Sequence, residues 1–113
     1  RLARRFHAKA VVLEKKRFNA TKVAVDTSKL KGLKGKNVVV LDDMVSTGNT
    51  LIEAAKGLKK AGVKKILFIT THGLFLNDSL DKLRKYGEIV ATNTVKNKAA
   101  KIDVSGLIAE SLR

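Results

Sequence analysis

The chain of 113 residues contains no cysteine, no proline, no tryptophan and no glutamine. Without cysteine it forms no disulfide framework and no thiolate zinc site. It also has no run of about 18 apolar residues, so we expect no membrane-spanning helix. The basic residues at its beginning precede an apolar run that is too short for a signal peptide and that lacks a small-residue cleavage site, which predicts a cytoplasmic protein.

Acidic residues are scarce as well. Ten Asp and Glu face 24 Lys and Arg, which gives a formal net charge of +14. Such a balance favours anionic partners, namely phosphorylated metabolites, nucleotides or nucleic acid. The alternative is a lysine-rich solvated surface with no specific partner. The four Phe and one Tyr show no stacking pattern, so we do not expect a nucleic-acid binder.

The length suits one domain, residues 1–113, with a modest core. Apolar runs and helical periodicities alternate along it. The predicted strands are 8–16, 37–43, 64–72 and 88–95. The predicted helices are 1–7, 49–62, 77–87 and 104–113, and residues 18–37 are predicted to be an exposed loop or hairpin. This order predicts an α/β fold, a Rossmann-like parallel sheet flanked by helices.

Two of these elements are the most clearly marked. Residues 37–43, "NVVVLDD", form a continuous apolar run of the kind found in a sheet that is covered on both faces. The following helix repeats Leu and Ala at helical spacing, and Gly62 stands where a C-terminal cap belongs. The stretch between the strand and this helix is therefore a well-defined junction.

That junction, "VVVLDDMVSTGNT" at residues 38–50, carries the candidate site. Asp42 and Asp43 fall at the carboxyl end of a parallel strand, where ligands bind in open α/β sheets. The next residues lead into a helix N-terminus, which favours phosphate because its N–H groups are unpaired. The predicted phosphate-binding residues are Ser46, Thr47, Gly48, Asn49 and Thr50.

Carboxylates repel a phosphate, so their presence needs another reason. They accept hydrogen bonds from sugar hydroxyls and hold Mg²⁺ through its waters. A diol at one end and a phosphate at the other describe ribose 5-phosphate. The alternative is that Asp42 and Asp43 only cap and solubilise the turn.

Lys15 and Arg17 are candidate catalytic cations. Alternate residues of an extended strand point to the same side, so both could reach one anion, whereas Lys16 would point elsewhere. Phosphoryl-type transfer is catalysed mainly by positioning and charge neutralisation. Taken alone, three consecutive basic residues are more typical of a solvated surface run than of a catalytic site.

The junction resembles the phosphoribosyl-binding signature of type I phosphoribosyltransferases and ribose-phosphate diphosphokinases. "LEKKR" (13–17) and "ITTHGLF" (69–75) resemble segments of the diphosphokinases in particular. The resemblance implies that this chain corresponds to the C-terminal one of the family's two homologous domains. It also implies ribose contacts by Asp42 and Asp43, a 5-phosphate loop at 46–50, stabilisation of the transferred group by Lys15 and Arg17, and a mobile catalytic flap at 18–28.

The same resemblance implies the substrates ribose 5-phosphate and ATP, the product phosphoribosyl pyrophosphate, Mg²⁺ as cofactor, and a homo-oligomer. Two features depart from the family. Asn49 stands where the family has a second glycine, and asparagine tolerates left-handed backbone better than most residues. The family's opening strand with its acidic turn, and its N-terminal domain, have no counterpart before Arg1.

Because of that second departure, we do not expect the chain to be active alone. Two alternatives remain, a non-catalytic phosphoribosyl-binding or regulatory module and a type I phosphoribosyltransferase relative. We expect His72 to have a structural or loop-positioning role rather than to act as a general acid or a metal ligand.

Overall fold

The computed structural model describes residues 1–19 and 23–113. The helices are α1 (Leu2–Arg5), α2 (Asn49–Lys60), α3 (Ser79–Arg84) and α4 (Ser105–Ser111), and Ser28–Leu30 form one 3₁₀ turn. The strands are β1 (Lys15–Arg17), β2 (Val23–Val25), β3 (Asn37–Val45), β4 (Lys65–Gly73), β5 (Glu88–Thr92) and β6 (Ala100–Ile102). Residues 20–22 of the predicted flap lie outside the described part of the chain.

The main sheet has the strand order β3-β4-β5-β6, and every neighbouring pair is parallel. The predicted parallel α/β sheet is thereby confirmed. β1 and β2 form a separate antiparallel pair in which Lys15 lies opposite Val25 and Arg17 opposite Val23. Only β2 of this pair lies within the loop or hairpin predicted at 18–37, because β1 precedes that range.

The core lies between one face of the sheet and the helices α2 and α3. Its largest fully buried side chains include Phe68 of β4, Leu58 of α2 and Leu83 of α3. α2 ends as predicted, because Gly62 adopts a left-handed φ of 79° and donates to Lys59, while Val63 donates to Leu58. This fixed helix holds its N-terminus against the end of β3.

The prediction that β3 is covered on both faces is wrong. β3 is the edge strand of the sheet, and Val39 and Leu41 are each 55% exposed. Val38 and Val40, on the other side of the same strand, pack against the core. Within the described chain the helices therefore cover β3 from one side.

The strand predicted at 8–16 is also wrong in extent, since strand pairing begins at Lys15 and ends at Arg17. Residues 8–14 have no strand partner among the described residues, although Leu13 packs against the core. β6 was not predicted, because three residues with one large apolar side chain carry too weak a pattern. No helix in the two described ranges has the length and apolarity needed to cross a membrane.

Candidate active site

The acid pair lies near the carboxyl end of β3, which continues two residues beyond the predicted end at Asp43, to Val45. Strand alternation directs Asp42 to the packed side of β3 and Asp43 to the open side. Both nevertheless line one cleft of about 370 Å³ at the ends of the strands. The remaining lining residues are Leu41, Ile69, Thr70, Thr71 and Thr92.

The two carboxylates differ in their surroundings. Asp42 accepts the backbone N–H of Asp43 at 2.9 Å, and Asp43 accepts that of Met44 at 2.8 Å. Burial, reinforced by a hydrogen bond with the Asp43 side chain, raises the pKa of Asp42. Hydrogen bonds from the Asp42 side chain and from the Met44 N–H lower the pKa of Asp43. As the pH falls, the pair therefore takes its first proton at Asp42.

Of the two predicted cations, Lys15 comes near the acid pair. Its positive charge acts to lower the pKa of both Asp42 and Asp43. Arg17 is exposed two residues further along β1 and does not figure among the groups that shift either carboxyl. The structure thus brings Lys15 to the site and places Arg17 beside it on the same side of the strand.

The hairpin that carries Lys15 is seated on α2 through Gly57. A Cβ built on Gly57 would lie 2.5 Å from the Thr27 methyl carbon and 3.1 Å from a Leu30 methyl carbon. Only glycine lets the turn after β2 approach the helix this closely. The position of β1, and hence of Lys15, depends on that contact.

We expect Gly57→Ala to destabilise the chain by about 1–2 kcal/mol. Overpacking costs roughly 1–3 kcal/mol, whereas the better helix propensity of alanine returns at most about 1. The matched control is Gly106→Ala in α4, where nothing lies within 4 Å of the added Cβ and a small gain is expected. Urea unfolding followed by circular dichroism measures both, and a Gly57→Ala variant as stable as the wild type would contradict the packing argument.

The predicted phosphate loop connects β3 to α2. Gly48 has a left-handed φ of 77° and precedes the first helical residue, Asn49. The α2 N-terminus carries no acidic side chain in its first turn, so its dipole is open to an anion. Residues 46–50 do not belong to the lining of the cleft around Asp42, so the loop and the acids are neighbouring parts of one edge.

The expectation that Asn49 must tolerate left-handed backbone is wrong. The left-handed residue is Gly48, and Asn49 is the first residue of a regular helix. The departure from the family's second glycine therefore places no conformational demand on this loop.

Threonines at the ends of β4 and β5 were missed by the sequence reasoning. Thr70 is 1% exposed, and its hydroxyl has no hydrogen-bond partner among the described residues. Thr92 donates to the Thr71 carbonyl at 2.6 Å, and His72 Nδ1 lies 2.9 Å from the Thr94 hydroxyl. The available signal was the change from apolar to hydroxyl side chains at a parallel strand end. The His72 contact fits the expected positioning role.

The sequence model of the phosphoribosyl transferase domain matches residues 1–107. The chain therefore belongs to the phosphoribosyl transferase domain family.

Curated proteins similar in sequence to this chain are named ribose-phosphate pyrophosphokinase. The ribose-phosphate pyrophosphokinase of Pyrococcus furiosus, a name equivalent to diphosphokinase, is 38% identical over 92 residues, which are 80% of this chain and 33% of the relative. That of Sulfurisphaera tokodaii is 36% identical over 118 aligned positions, covering 99% of this chain and 40% of the relative. The chain thus spans between a third and two fifths of the length of these curated relatives.

A solved structure supports the fold. The crystal structure of phosphoribosylpyrophosphate synthetase from Mycobacterium smegmatis matches with a TM-score of 0.66 at 24% identity. The match covers 84% of this chain and 34% of that chain. At this identity the likeness establishes the arrangement of strands and helices.

Proposed function

We propose that residues 1–113 form a single domain, the C-terminal half of a two-domain ribose-phosphate pyrophosphokinase, and bind ribose 5-phosphate and phosphoribosyl pyrophosphate. The whole enzyme would convert ATP and ribose 5-phosphate into AMP and phosphoribosyl pyrophosphate. The observation that carries the proposal is the junction of β3 with α2. It combines two carboxylates in a cleft with a helix N-terminus turned by Gly48.

Each end of the sugar phosphate would meet matching chemistry. The ribose hydroxyls donate to Asp42 and Asp43, because ionised carboxylates are acceptors only. The 5-phosphate binds at the loop of Ser46, Thr47, Gly48, Asn49 and Thr50 and at the positive end of the α2 dipole.

Lys15 and Arg17 would act on the diphosphoryl group that is transferred. The proximity of Lys15 to the acid pair supports this role. Its ammonium offsets the negative charge that accumulates between the carboxylates and the phosphates. Arg17, on the same side of β1, extends the cationic surface away from the acids.

Mg²⁺ is part of the proposal. No group of three or more metal-ligating side chains gathers within residues 1–19 and 23–113. Mg²⁺ keeps several waters and is commonly held by one or two carboxylates together with substrate phosphates, so Asp42 and Asp43 fit it as partial ligands. When bound, it would neutralise charge on phosphate oxygens.

ATP and the other copies of the chain would contribute from outside. None of the residues that line the cleft is aromatic, so it offers no stacking surface for adenine. We therefore place most of the ATP site beyond this chain. The exposed side of β3, with Val39 and Leu41, supports a homo-oligomer or further polypeptide that covers it.

Calorimetric titration of the 113-residue chain tests the binding role. We expect saturable binding of ribose 5-phosphate that is tighter than that of ribose or inorganic phosphate, because only the first ligand engages both ends of the site. A folded chain that binds ribose 5-phosphate no better than inorganic phosphate would refute the proposal. Binding of oligonucleotides that falls steeply with salt would report phosphate contacts alone.

A further inference from the structure

We propose that Ser79, at the start of α3, is a positioning residue that fixes the orientation of the 46–48 loop for phosphate binding. The inference rests on the proposed function, since it assigns the loop to the 5-phosphate. Ser79 lies 33 residues from Ser46 in the sequence, yet it is 1% exposed and touches the loop.

The loop is held by its carbonyl groups. The Val45 carbonyl accepts the N–H groups of Leu74 at 2.9 Å and Phe75 at 3.2 Å. The Ser46 carbonyl accepts the N–H of Leu76 at 2.8 Å and the Ser79 hydroxyl at 3.4 Å. Two successive peptide groups of the loop are thus tied to the segment that follows β4.

Because peptide groups are planar, anchoring the carbonyl groups also fixes the direction of the N–H groups of the same peptides. In a trans peptide the N–H points opposite to the C=O, and no peptide bond within residues 1–19 and 23–113 is cis. Because the carbonyls of residues 45 and 46 face the segment 74–79, the N–H groups of Ser46 and Thr47 face the other way. They present donors on the side of the loop that faces away from the segment 74–79, just before the first residue of α2.

Ser79 also matches Gly48 in size. A Cβ built on Gly48 would lie 3.2 Å from the Ser79 Cβ and 3.5 Å from a Leu83 methyl carbon. Ser79 itself is immobilised, because Leu80 and Leu83 of the same helix are buried in the core. The small side chain of Ser79 therefore lets the left-handed Gly48 pack against α3, and the Ser79 hydroxyl donates to the Ser46 carbonyl.

The supporting segment has a fixed shape of its own. Phe75 and Asn77 both have positive φ, 47° and 56°, which non-glycine residues rarely adopt. The Phe75 ring occupies the space where a side chain at Gly73 would be, so these two residues fit only in this arrangement. Strained backbone of this kind persists where surrounding contacts enforce it. The conformation of the segment that anchors the loop is thus specified by its own contacts.

The test compares Ser79→Ala with Ser111→Ala in the 113-residue chain. Ser111 donates to Ile108 within α4 at 2.7 Å, so its replacement makes the same chemical change away from the loop. We expect Ser79→Ala to weaken the binding of inorganic phosphate and of ribose 5-phosphate by the same factor, about twofold to fivefold, because one long neutral hydrogen bond is lost. Ser111→Ala should leave both affinities unchanged.

A second readout does not need a ligand. In the free protein, Ser79→Ala should shift the amide resonances of Thr47 and Gly48 and speed their hydrogen exchange, while Ser111→Ala should not. Unchanged loop amides and unchanged phosphate affinity would overturn the role of Ser79. If the wild type binds no phosphate, the proposed function fails, and the loop amides alone decide whether Ser79 positions the loop.

Discussion

Asp42→Asn should weaken ribose 5-phosphate binding about 10- to 100-fold and change inorganic phosphate binding by less than about threefold. A hydrogen bond to a charged group contributes roughly 1.5–3 kcal/mol, and each 1.4 kcal/mol is a factor of ten. In the proposed complex the ribose diol would contact the carboxylate, whereas inorganic phosphate has no diol and would be repelled by it. Calorimetric titration of both ligands measures the difference.

The matched control is Asp81→Asn, which removes one exposed negative charge from α3. It makes the same change in net charge, so an effect of overall electrostatics would appear in both variants. Equal losses for ribose 5-phosphate and inorganic phosphate in Asp42→Asn would contradict the assignment of the carboxylate to the sugar.

Because the pKa of Asp42 is raised, we expect its replacement to affect ligand binding and folding stability differently. A carboxyl group whose pKa is higher in the folded state destabilises that state when ionised, a cost that is absent well below the unfolded pKa of about 3.9 and complete above the folded one. Asp42→Asn should therefore not lower stability at neutral pH, even though it weakens sugar binding. As the pH falls, Asp42 should be protonated before Asp43, and this first protonation should likewise weaken the binding of ribose 5-phosphate.

Local patterns were sufficient for the elements that form the junction. α2 was predictable from its periodicity and Gly62, and β3 from its apolar run. Because the acid pair and the loop are adjacent in the sequence, their common location followed from the same pattern.

The errors came from contacts between distant segments. An apolar run reveals neither whether another strand pairs with it nor whether a helix packs on each of its faces, so the strand at 8–16 was overextended and the exposed face of β3 was missed. Thr70 and Ser79 were missed for a related reason. Each is brought to the junction by a packed element whose placement depends on the whole sheet, and neither carries a local signal of its function.

The second large effect concerns catalysis. We expect the 113-residue chain alone to produce phosphoribosyl pyrophosphate at a rate lower by roughly three or four powers of ten than a complete enzyme. Aligning two substrates contributes about 7–11 kcal/mol, and losing half of that costs this factor at about 1.4 kcal/mol per tenfold. The described residues that line the cleft offer no aromatic surface for adenine, so we expect that ATP would not be held in line with the ribose.

Lys15 cannot compensate for that loss. In the proposed role its charge would stabilise only a triphosphate that is already in place, and its effect on the pKa of Asp42 shows that it lies near the acid pair. The measurement is AMP release from ATP in the presence of ribose 5-phosphate and Mg²⁺. A chimera in which this chain replaces the matching segment of the Pyrococcus furiosus relative should recover activity, because the rest of that protein then supplies the missing contacts.

Within the chimera, Lys15→Ala should reduce the rate strongly and Lys16→Ala weakly, because the two side chains project to opposite sides of β1. Rapid AMP release by the chain alone, abolished by Lys15→Ala, would contradict the dependence on outside contacts and would imply a minimal enzyme. Sugar-phosphate binding without activity in the chimera would instead favour a non-catalytic phosphoribosyl-binding module. The two outcomes would differ because the proposed binding needs only the junction of β3 with α2, whereas the proposed transfer also needs Lys15 to face a correctly aligned ATP.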